Sequence, residues 1–279
     1  MTHAKAFAKI NLGLVVGPLR TDGKHEIVTV LQRIELHDDI TLEPAAEFTV
    51  EGFEEDTIVR RAVELLGEAA GVEPRWRVGI DKRIPVAAGL GGGSSDAATA
   101  LLLANAELRQ PVESSALHRI AAEAGADVPF FMRDEACVAT GDGTELAPIA
   151  LPTDYHVVLV VPHGEMKAST GDVYAAFDAR NGASGFAERA AALDAALASI
   201  EAPHDLATIP PNDLASSAVA QELEAAGAFR ADVSGAGPTV YGLFERVDDA
   251  TRAIEIAARA GRTHVTRPVE AGRSPRVAR

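Results

Sequence analysis

The chain has 279 residues and a formal net charge of −15, from 26 basic and 41 acidic side chains. Apolar residues make up 47% and charged residues 24%, which are the proportions of an ordinary globular protein and argue against disorder. An acidic surface repels phosphate backbones, which argues against nucleic acid as a partner. The length allows one or two lobes with sizeable cores.

Cysteine content and hydropathy exclude further classes of protein. Cys137 is the single cysteine, so no intrachain disulfide or cysteine metal cluster is available, and the residue is predicted to pack in the core. The first ten residues contain no long apolar run, and no stretch approaches the ~20 apolar residues of a membrane span. We therefore expect a cytoplasmic protein without a membrane partner.

The first half of the chain is rich in predicted strands. In chain order, the patterns predict strands at 6–16, 26–36 and 40–50 with a polar turn at 37–39, a helix at 57–70, a strand at 76–80, and helices at about 94–108 and 114–124. A short apolar passage follows at 129–138.

The second half mixes strands and helices without strict alternation. The patterns predict a strand at 155–161, helices at 172–179 and 187–200, a loop at 201–211, a helix at 214–226, strands at 231–234 and 239–244, a helix at 248–260 and a strand at 263–269. This mixture predicts an α+β fold. We expect two lobes, at 1–152 and 153–279.

The most informative segment is residues 85–98, PVAAGLGGGSSDAA. Four glycines in five positions destabilise regular structure, and a strong helix former follows at once. Such a loop lets backbone N–H groups face an anion, and the helix N-terminus adds positive dipole. The segment therefore predicts a phosphate site made by Pro85, Gly89, Leu90, Gly91, Gly92, Gly93, Ser94 and Ser95. A flexible hinge without a ligand is the alternative.

Two common phosphate motifs do not fit this loop. The Walker pattern needs Lys and then Ser or Thr after its last glycine, and Gly93 is followed by two serines. The dinucleotide fingerprint needs a final glycine where this chain has Ser94.

The loop resembles instead the phosphate loop of the GHMP small-molecule kinases, Pro-x-x-x-Gly-Leu-Gly-Ser-Ser. Three further parts of the chain resemble the family in the family's order: residues 8–12 with 22–27, residues 125–131, and residues 234–239. The long form of the loop is closest to a family member that acts on a cytidyl diphosphate sugar alcohol. The resemblance implies an ATP-dependent kinase, with Mg²⁺ as cofactor. It also implies an N-terminal ribosomal protein S5-like lobe and a C-terminal ferredoxin-like lobe, with the site between them.

Two residues are candidates for the chemistry. Asp127 lies in an apolar setting just after a predicted helix, where a carboxylate can accept a proton from a substrate hydroxyl. Lys9 lies within an apolar strand, where a lysine is costly unless it is paired or functional. The resemblance favours these catalytic roles over a capping aspartate and an edge-facing lysine.

The resemblance also implies residues for the cytidyl substrate. Asn11 and His25 are expected to bind the cytidyl group, and Tyr174 is expected to stack on the base. Gly235 and Gly237 either approach the diphosphate or the active-site loop, or form a simple turn between two strands. Core packing is the alternative for Tyr174, and a surface or capping position is the alternative for His25.

The chain departs from the family pattern at two positions. Lys24 stands where the family has Tyr, and it can offer charge to a diphosphate but cannot stack on cytosine. Thr57 stands where the family has Asn near the adenine pocket, which predicts a weaker or different contact there. An all-protein Mg²⁺ site is not expected, because Mg²⁺ usually keeps water and phosphate ligands, although Ser95 is a possible contact.

Three functional hypotheses follow. The first is the kinase of the cytidyl diphosphate sugar alcohol. The second is a GHMP kinase of the homoserine or mevalonate type, which position 24 would favour if it excludes a cytidyl group. The third is a non-catalytic nucleotide-binding protein on the same fold, against which the retention of Lys9 and Asp127 argues. The partners are small molecules, and the chain is expected to be a monomer or a homodimer.

Overall fold

The computed structural model describes residues 1–53, 56–163 and 169–272. Its strands are β1 (Thr2–Leu19), β2 (His25–Pro44), β3 (Thr49–Glu51), β4 (Trp76–Asp81), β5 (Ala136–Gly141), β6 (Glu145–Ile149), β7 (His156–Pro162), β8 (Arg230–Val233), β9 (Val240–Phe244) and β10 (Gly261–Thr266). Its helices are α1 (Ile58–Ala70), α2 (Gly92–Glu107), α3 (Ser114–Ala124), α4 (Val128–Phe131), α5 (Thr170–Ala179), α6 (Phe186–Leu197), α7 (Ala218–Ala225) and α8 (Val247–Ala257), with a 3-10 helix at Pro203–Thr208. The predicted α+β class is confirmed.

The first sheet is built around the long hairpin of β1 and β2. Its order is β3-β4-β2-β5-β6, with β1 also paired to β2. All of its pairs are antiparallel except β3 with β4. The start of β1 alternates buried and exposed side chains, but residues 8–17 are buried on both faces. This part of β1 is enclosed, which explains how Lys9 and Asn11 come to lie inside the molecule.

The second sheet contains the last four strands in the order β10-β7-β9-β8, and all its pairs are antiparallel. Numbered by their appearance in this half of the chain, the strands take the spatial order 4-1-3-2. Helices lie between β7 and β8 and between β9 and β10. This is the split β-α-β arrangement of ferredoxin-like folds.

Three hydrophobic clusters form the cores around the two sheets, and one of them connects the sheets. One lies between the first sheet and helices α1 to α3, and another between the second sheet and helices α7 and α8. The cluster between them joins Ile10 and Leu12 of β1 to Leu159 of β7 and Tyr241 of β9. The change of sheet falls between Ile149 and His156. This change supports lobes at 1–152 and 153–279 as a proposal, with β1 packed against both.

The turn predicted at residues 37–39 was wrong, because β2 continues through it. The pairing moves from Ala8–Ile34 to Phe7–His37, one step on β1 and three on β2, so β2 bulges there. Asp38 is fully buried and accepts a hydrogen bond from Lys82 (2.5 Å). The polar run at residues 37–39 therefore contains one partner of a buried ion pair within a strand. A local sequence pattern does not distinguish such a run from a turn.

Several other boundaries differ from the prediction. Helix α7 begins four residues later than predicted, because the amide of Leu214 donates to the Asn212 side chain and Ser217 caps the helix. The predicted loop at 201–211 contains the 3-10 helix, and the predicted strand at 263–269 lies at Gly261–Thr266. Strands β3 and β6 were missed as separate strands. Among the residues that the structure describes, no helix is both long and apolar enough to cross a membrane.

Candidate active site

A cavity of about 690 Å³ opens between the two sheets. Its size lies within the range of small-molecule sites in proteins. Its walls come from both halves of the chain. They include these predicted site residues: Lys9, Asn11, Pro85, Gly89, Leu90, Gly91, Gly92, Gly93, Ser94, Asp127, Tyr174, Gly235 and Gly237. Lys24, His25 and Ser95 are not among the lining residues.

The glycine-rich loop forms one wall of the cavity and leads into α2. Gly91 is the N-cap of α2 with φ of +70°, and no side chain of the described residues caps the first turn. An added Cβ at Gly91 would lie 2.7 Å from Cζ of Phe131 and 3.0 Å from Cγ of Lys9, so only glycine fits. The first N–H groups of α2 lack side-chain caps, and such groups bind phosphate well. Ser94 lines the cavity whereas Ser95 is only 1% exposed, so Ser94 is the better placed hydroxyl.

Lys9 and Asp127 meet at the cavity wall. Nζ of Lys9 lies 3.6 Å from Oδ2 of Asp127, and the side chains are 6% and 41% exposed. Asp127 occupies the N-cap position of α4 but makes no capping hydrogen bond with its side chain. Its carboxylate therefore remains available to a ligand. An ammonium beside a half-exposed carboxylate is an arrangement suited to proton acceptance and to stabilising developing negative charge.

The side chain of Asn11 makes hydrogen bonds within the protein through both its oxygen and its nitrogen. Its Oδ1 accepts from Nζ of Lys9 (2.6 Å), and its Nδ2 donates to the hydroxyl of Thr29 (2.8 Å). Thr29 in turn donates to the carbonyl of Gly13 (2.7 Å). Asn11 therefore bonds to Lys9 and also lines the cavity, and its predicted contact with a cytidyl group stays a prediction.

The turn between β8 and β9 packs against the glycine-rich loop. The hydroxyl of Ser234 donates to the carbonyl of Gly89 (2.9 Å) and accepts from the amide of Asn11 (3.3 Å). An added Cβ at Gly89 would lie 2.4 Å from the carbonyl oxygen of Ser234 and 3.0 Å from that of Gly237. Residues 235–237 therefore form a turn between two strands and also approach the glycine-rich loop. The sequence had left these two interpretations as alternatives.

Tyr174 and His25 lie together at the cavity. Their rings stack with centroids 4.8 Å apart, and Nε2 of His25 lies 2.9 Å from Oδ1 of Asp178. Tyr174 faces the cavity, while His25 is buried behind it. Burial, and then the charge of Asp127, raise the pKa of the Tyr174 phenol, so it stays protonated at neutral pH.

Lys24 lies at the rim of the site and is paired with an acidic side chain. Its Nζ donates to Oδ2 of Asp142 (2.5 Å), and Asp142 lines the cavity. The hydrogen bonds from Lys24 and Thr144 lower the pKa of Asp142 to about 2. This ion pair occupies the position at which the family resemblance predicts an aromatic side chain.

A buried charge cluster beneath the loop was missed by the sequence analysis. Lys82 lines the cavity, and its Nζ donates to Asp38 (2.5 Å) and to Asp96 (2.7 Å). Asp56 also lines the cavity, where its carboxylate caps α1 through the amides of Val59 and Arg60, and burial raises its pKa. The sequence feature that could have indicated a role for Lys82 was its position shortly before the glycine-rich loop.

Two side chains around the loop would suit a Mg²⁺ ion, which the family resemblance implies. The Asp127 carboxylate and the Ser94 hydroxyl both face the cavity and are oxygen donors, which Mg²⁺ prefers. Thr57, at the predicted adenine position, lines the same cavity.

Comparison with known proteins identifies the family. Residues 57–135 match the GHMP kinases N terminal domain, and residues 189–263 match the GHMP kinases C terminal model. A 4-diphosphocytidyl-2-C-methyl-D-erythritol kinase of Salinispora arenicola is 36% identical over 96% of this chain and 90% of its own length.

Solved structures agree with this relationship. A crystal structure of 4-(cytidine 5'-diphospho)-2C-methyl-D-erythritol kinase superposes with a TM-score of 0.79 at 33% identity, covering 96% of this chain and all of the other. A mevalonate kinase superposes with a TM-score of 0.72 at 12% identity, covering 96% of this chain and 99% of the other, which shows the shared fold alone. The chain therefore belongs to the 4-diphosphocytidyl-2-C-methyl-D-erythritol kinase family of the GHMP kinases.

Proposed function

We propose that this chain transfers the γ-phosphoryl group of ATP to the 2-hydroxyl of 4-diphosphocytidyl-2-C-methyl-D-erythritol, a step of non-mevalonate isoprenoid synthesis. The observation that carries the proposal is the Lys9–Asp127 pair (3.6 Å), which faces the same cavity as the glycine-rich loop. A protein that only bound nucleotide would need no carboxylate at this position. Named relatives over nearly the whole chain support the substrate.

The proposed reaction is an in-line phosphoryl transfer. Asp127 accepts the proton of the substrate hydroxyl as that oxygen bonds to the γ-phosphorus of ATP, and the bond between this phosphorus and the β–γ bridging oxygen breaks. ADP leaves with the bridging oxygen, and the product carries the phosphate on its 2-oxygen. Lys9, held by Asn11 (2.6 Å), stabilises the negative charge near the reacting oxygen.

The ATP phosphates are proposed to lie against the loop from Gly89 to Ser94, where the N–H groups at the start of α2 are free of side-chain caps. Mg²⁺, when bound, would neutralise phosphate charge, and Ser94 is the side chain proposed to contact it. Ser95 is proposed for the packing of α2, since it is only 1% exposed.

The cytidyl group is proposed to lie against Tyr174, whose ring faces the cavity and stacks on His25. Asp178 would orient the His25 ring from its other side. The Lys24–Asp142 ion pair lies at the rim of the cavity, where the family has an aromatic residue. We expect the pair to contact the sugar diphosphate part of the substrate. Gly235 and Gly237 are proposed as close backbone neighbours of the same substrate.

The remaining proposals concern context. ATP is supplied in the cytoplasm, which is the proposed location. The net charge of −15 supports small molecules rather than nucleic acid as partners. A monomer or a homodimer remains the prediction for assembly.

The test is an ADP-release assay with Mg²⁺-ATP and three acceptors: the cytidyl substrate, homoserine and mevalonate. We expect turnover with the cytidyl substrate alone. Turnover of one of the others would keep the kinase and overturn its substrate. No turnover with any acceptor, together with measurable ATP binding, would favour the non-catalytic nucleotide-binding protein.

A further inference from the structure

Asn212 lies between the 3-10 helix and α7, in none of the segments from which the sequence analysis predicted site residues. The residue is buried, at 8% exposure, and its whole carboxamide is bonded to backbone. Its Nδ2 donates to the carbonyl oxygens of Val233 (2.9 Å) and Gly235 (2.7 Å), and its Oδ1 accepts from the amide of Leu214 (2.8 Å). Both donors and the acceptor of the amide are therefore used.

The two carbonyls that Asn212 holds flank Ser234. The hydroxyl of Ser234 accepts from the amide of Asn11 (3.3 Å) and donates to the carbonyl of Gly89 (2.9 Å). Ser234 is thus the point at which β1, the phosphate loop and the β8–β9 turn meet. Asn212 fixes the backbone on both sides of that point.

The same turn lies close to the lysine of the proposed reaction. An added Cβ at Gly235 would lie 3.1 Å from Oδ1 of Asn11 and 3.7 Å from Nζ of Lys9. The backbone of this turn therefore adjoins both side chains, and a displacement of the turn would change the space in which they are held. Errors of about 1 Å in a reacting group can cost roughly 10²-fold in rate.

Asn212 is itself anchored to the second sheet. Its amide donates to Oδ2 of Asp232 (2.9 Å), and this carboxylate also lies 3.3 Å from Nη2 of Arg230. Arg230 is buried and donates to the carbonyls of Ile209 and Pro210. A rigid anchor of this kind is what a residue needs if it is to hold another group in place.

We propose that Asn212 is a positioning residue, which holds the turn at residues 234–239 at the distance from Lys9 and the phosphate loop that phosphoryl transfer requires. The predicted effect on turnover rests on the proposed function above. The predicted effect on the placement of the turn does not. A purely structural role would lower stability without changing turnover in the folded protein.

The variants are Asn212→Ala, which removes both donors, and Asn212→Asp, which turns a carboxylate oxygen toward the two carbonyls. The matched control is Asn105→Asp. Asn105 also donates through Nδ2 to a backbone carbonyl and accepts from the amide of the same residue, Val112 (3.2 and 2.8 Å), but it lies at the far end of α2. Asn212→Ser keeps one hydroxyl donor. It replaces the first two variants if they do not fold, and the same expected and contrary results apply to it.

Turnover and the KM for ATP are measured at a temperature where circular dichroism shows every variant to be folded. We expect kcat to fall roughly 10- to 100-fold in the Asn212 variants. We expect the KM for ATP to rise by a smaller factor than kcat falls, because the turn contacts the phosphate loop but the chemistry depends on the placement of Lys9. Asn105→Asp should stay within about twofold of wild type in both. An Asn212 variant whose kcat matches that of the control would overturn the proposal.

Hydrogen exchange provides a readout that does not depend on the substrate. The amides of Ser234, Gly237 and Thr239 are hydrogen bonded within the turn or to the phosphate loop, and they should exchange faster in the Asn212 variants but not in the control. Unchanged exchange there would overturn the proposal even if wild type failed to use the cytidyl substrate. A wild type that is inactive with all three acceptors would contradict the proposed function alone.

Discussion

Lys9 and Asp127 illustrate how two costly residues stabilise one another. A buried ammonium is unfavourable unless hydrogen bonds and an opposite charge replace its hydration. Lys9 has both, from Asn11 at 2.6 Å and from Asp127 at 3.6 Å. Asp127 keeps 41% of its side chain exposed and makes no cap bond, so a substrate hydroxyl can reach it.

The first prediction concerns Asp127→Asn. The amide cannot accept the hydroxyl proton as a carboxylate does, so turnover should fall roughly 10²-fold or more while ATP affinity changes little. Steady-state kinetics and ATP titration measure the two effects. The control is Asp154→Asn, because Asp154 is 98% exposed and lies in the segment between the sheets. Near wild-type turnover in Asp127→Asn would remove this residue from the mechanism.

The second prediction separates backbone strain from crowding at a glycine. Gly89 has φ of +79° and Gly71 has φ of +65°, so alanine at either position costs roughly 1–2 kcal/mol of conformational strain. Only at Gly89 would the new Cβ meet backbone, 2.4 Å from the carbonyl oxygen of Ser234. At Gly71 no atom of the described residues lies within 4 Å of the added Cβ.

We therefore expect Gly89→Ala to weaken ATP binding and turnover by an order of magnitude or more, since the loop must move away from the turn. Gly71→Ala should lower the unfolding free energy but leave both activities within about twofold. Isothermal titration with ATP and the ADP-release assay measure these effects. Equal activity in the two variants would show that the contact between loop and turn has no part in phosphate binding.

At the scale of elements, helix α2 carries a charge cluster within its first turns. Lys82 bonds to both Asp38 and Asp96, and the carboxylates are 0% and 1% exposed. One ammonium cannot neutralise two buried carboxylates, and Oδ1 of Asp96 has no partner among the residues described. Burial, opposed by Lys82 and reinforced by the charge of Asp38, raises the pKa of Asp96 to about 8.

This elevated pKa predicts a pH dependence of stability. Between the ordinary pKa of 3.8 and about 8, the folded chain holds one proton that the unfolded chain has lost. The unfolding free energy should then fall as pH rises through this window, by at most about 1.4 kcal/mol per pH unit. Asp96→Asn is permanently neutral and should remove this part of the slope.

Urea unfolding at several values between pH 5.5 and 8.5 measures the effect. Asp81→Asn is the control, because Asp81 adjoins the cluster in sequence but its side chain is 65% exposed. The control should follow the slope of wild type. Parallel slopes for wild type and Asp96→Asn would show that Asp96 is ionised in the folded protein across this range.

The same cluster shows where sequence patterns stop being informative. The helices around the loop were predicted to within a few residues, because apolar periodicity and glycine are local signals. The bulge at Asp38 and the burial of Lys82 arise from a pairing between residues 44 positions apart, which no local pattern encodes. Asn212 was missed for the same reason, since its partners Val233 and Gly235 lie on another strand and turn.

The glycine-rich loop and the three further parts of the chain that resemble the family predicted most of the site residues, but not how their side chains are held. Thirteen of the predicted site residues line one cavity. Three other predicted site residues do not line this cavity, and a specific contact or burial keeps each of them away from its wall. His25 is behind Tyr174, Lys24 is tied to Asp142, and Ser95 faces inward along α2. Side-chain direction on a helix or at a rim is set by tertiary neighbours, not by the motif.

At the scale of the whole molecule, the two lobes share part of their interior. The central hydrophobic cluster contains Ile10 from β1 together with Leu159 and Tyr241 from the second sheet. β1 also pairs along its length with β2 of the first sheet. Neither sheet can lose its packing without exposing apolar surface of the other, so we expect the lobes to unfold together.

The last prediction tests this coupling with one substitution in each outer core. Leu66 of α1 and Leu223 of α7 are buried in the clusters of the first and the second sheet, at 0% and 1% exposure. Either Leu→Ala change should cost about 2–5 kcal/mol. Calorimetry should show one transition in wild type and in both variants, shifted down by several degrees, with equal calorimetric and van't Hoff enthalpies. Lobes that fold independently would instead give two transitions, and each variant would shift only the transition of the lobe that it changes. The shared cluster would then contribute too little to keep one lobe folded after the other had unfolded.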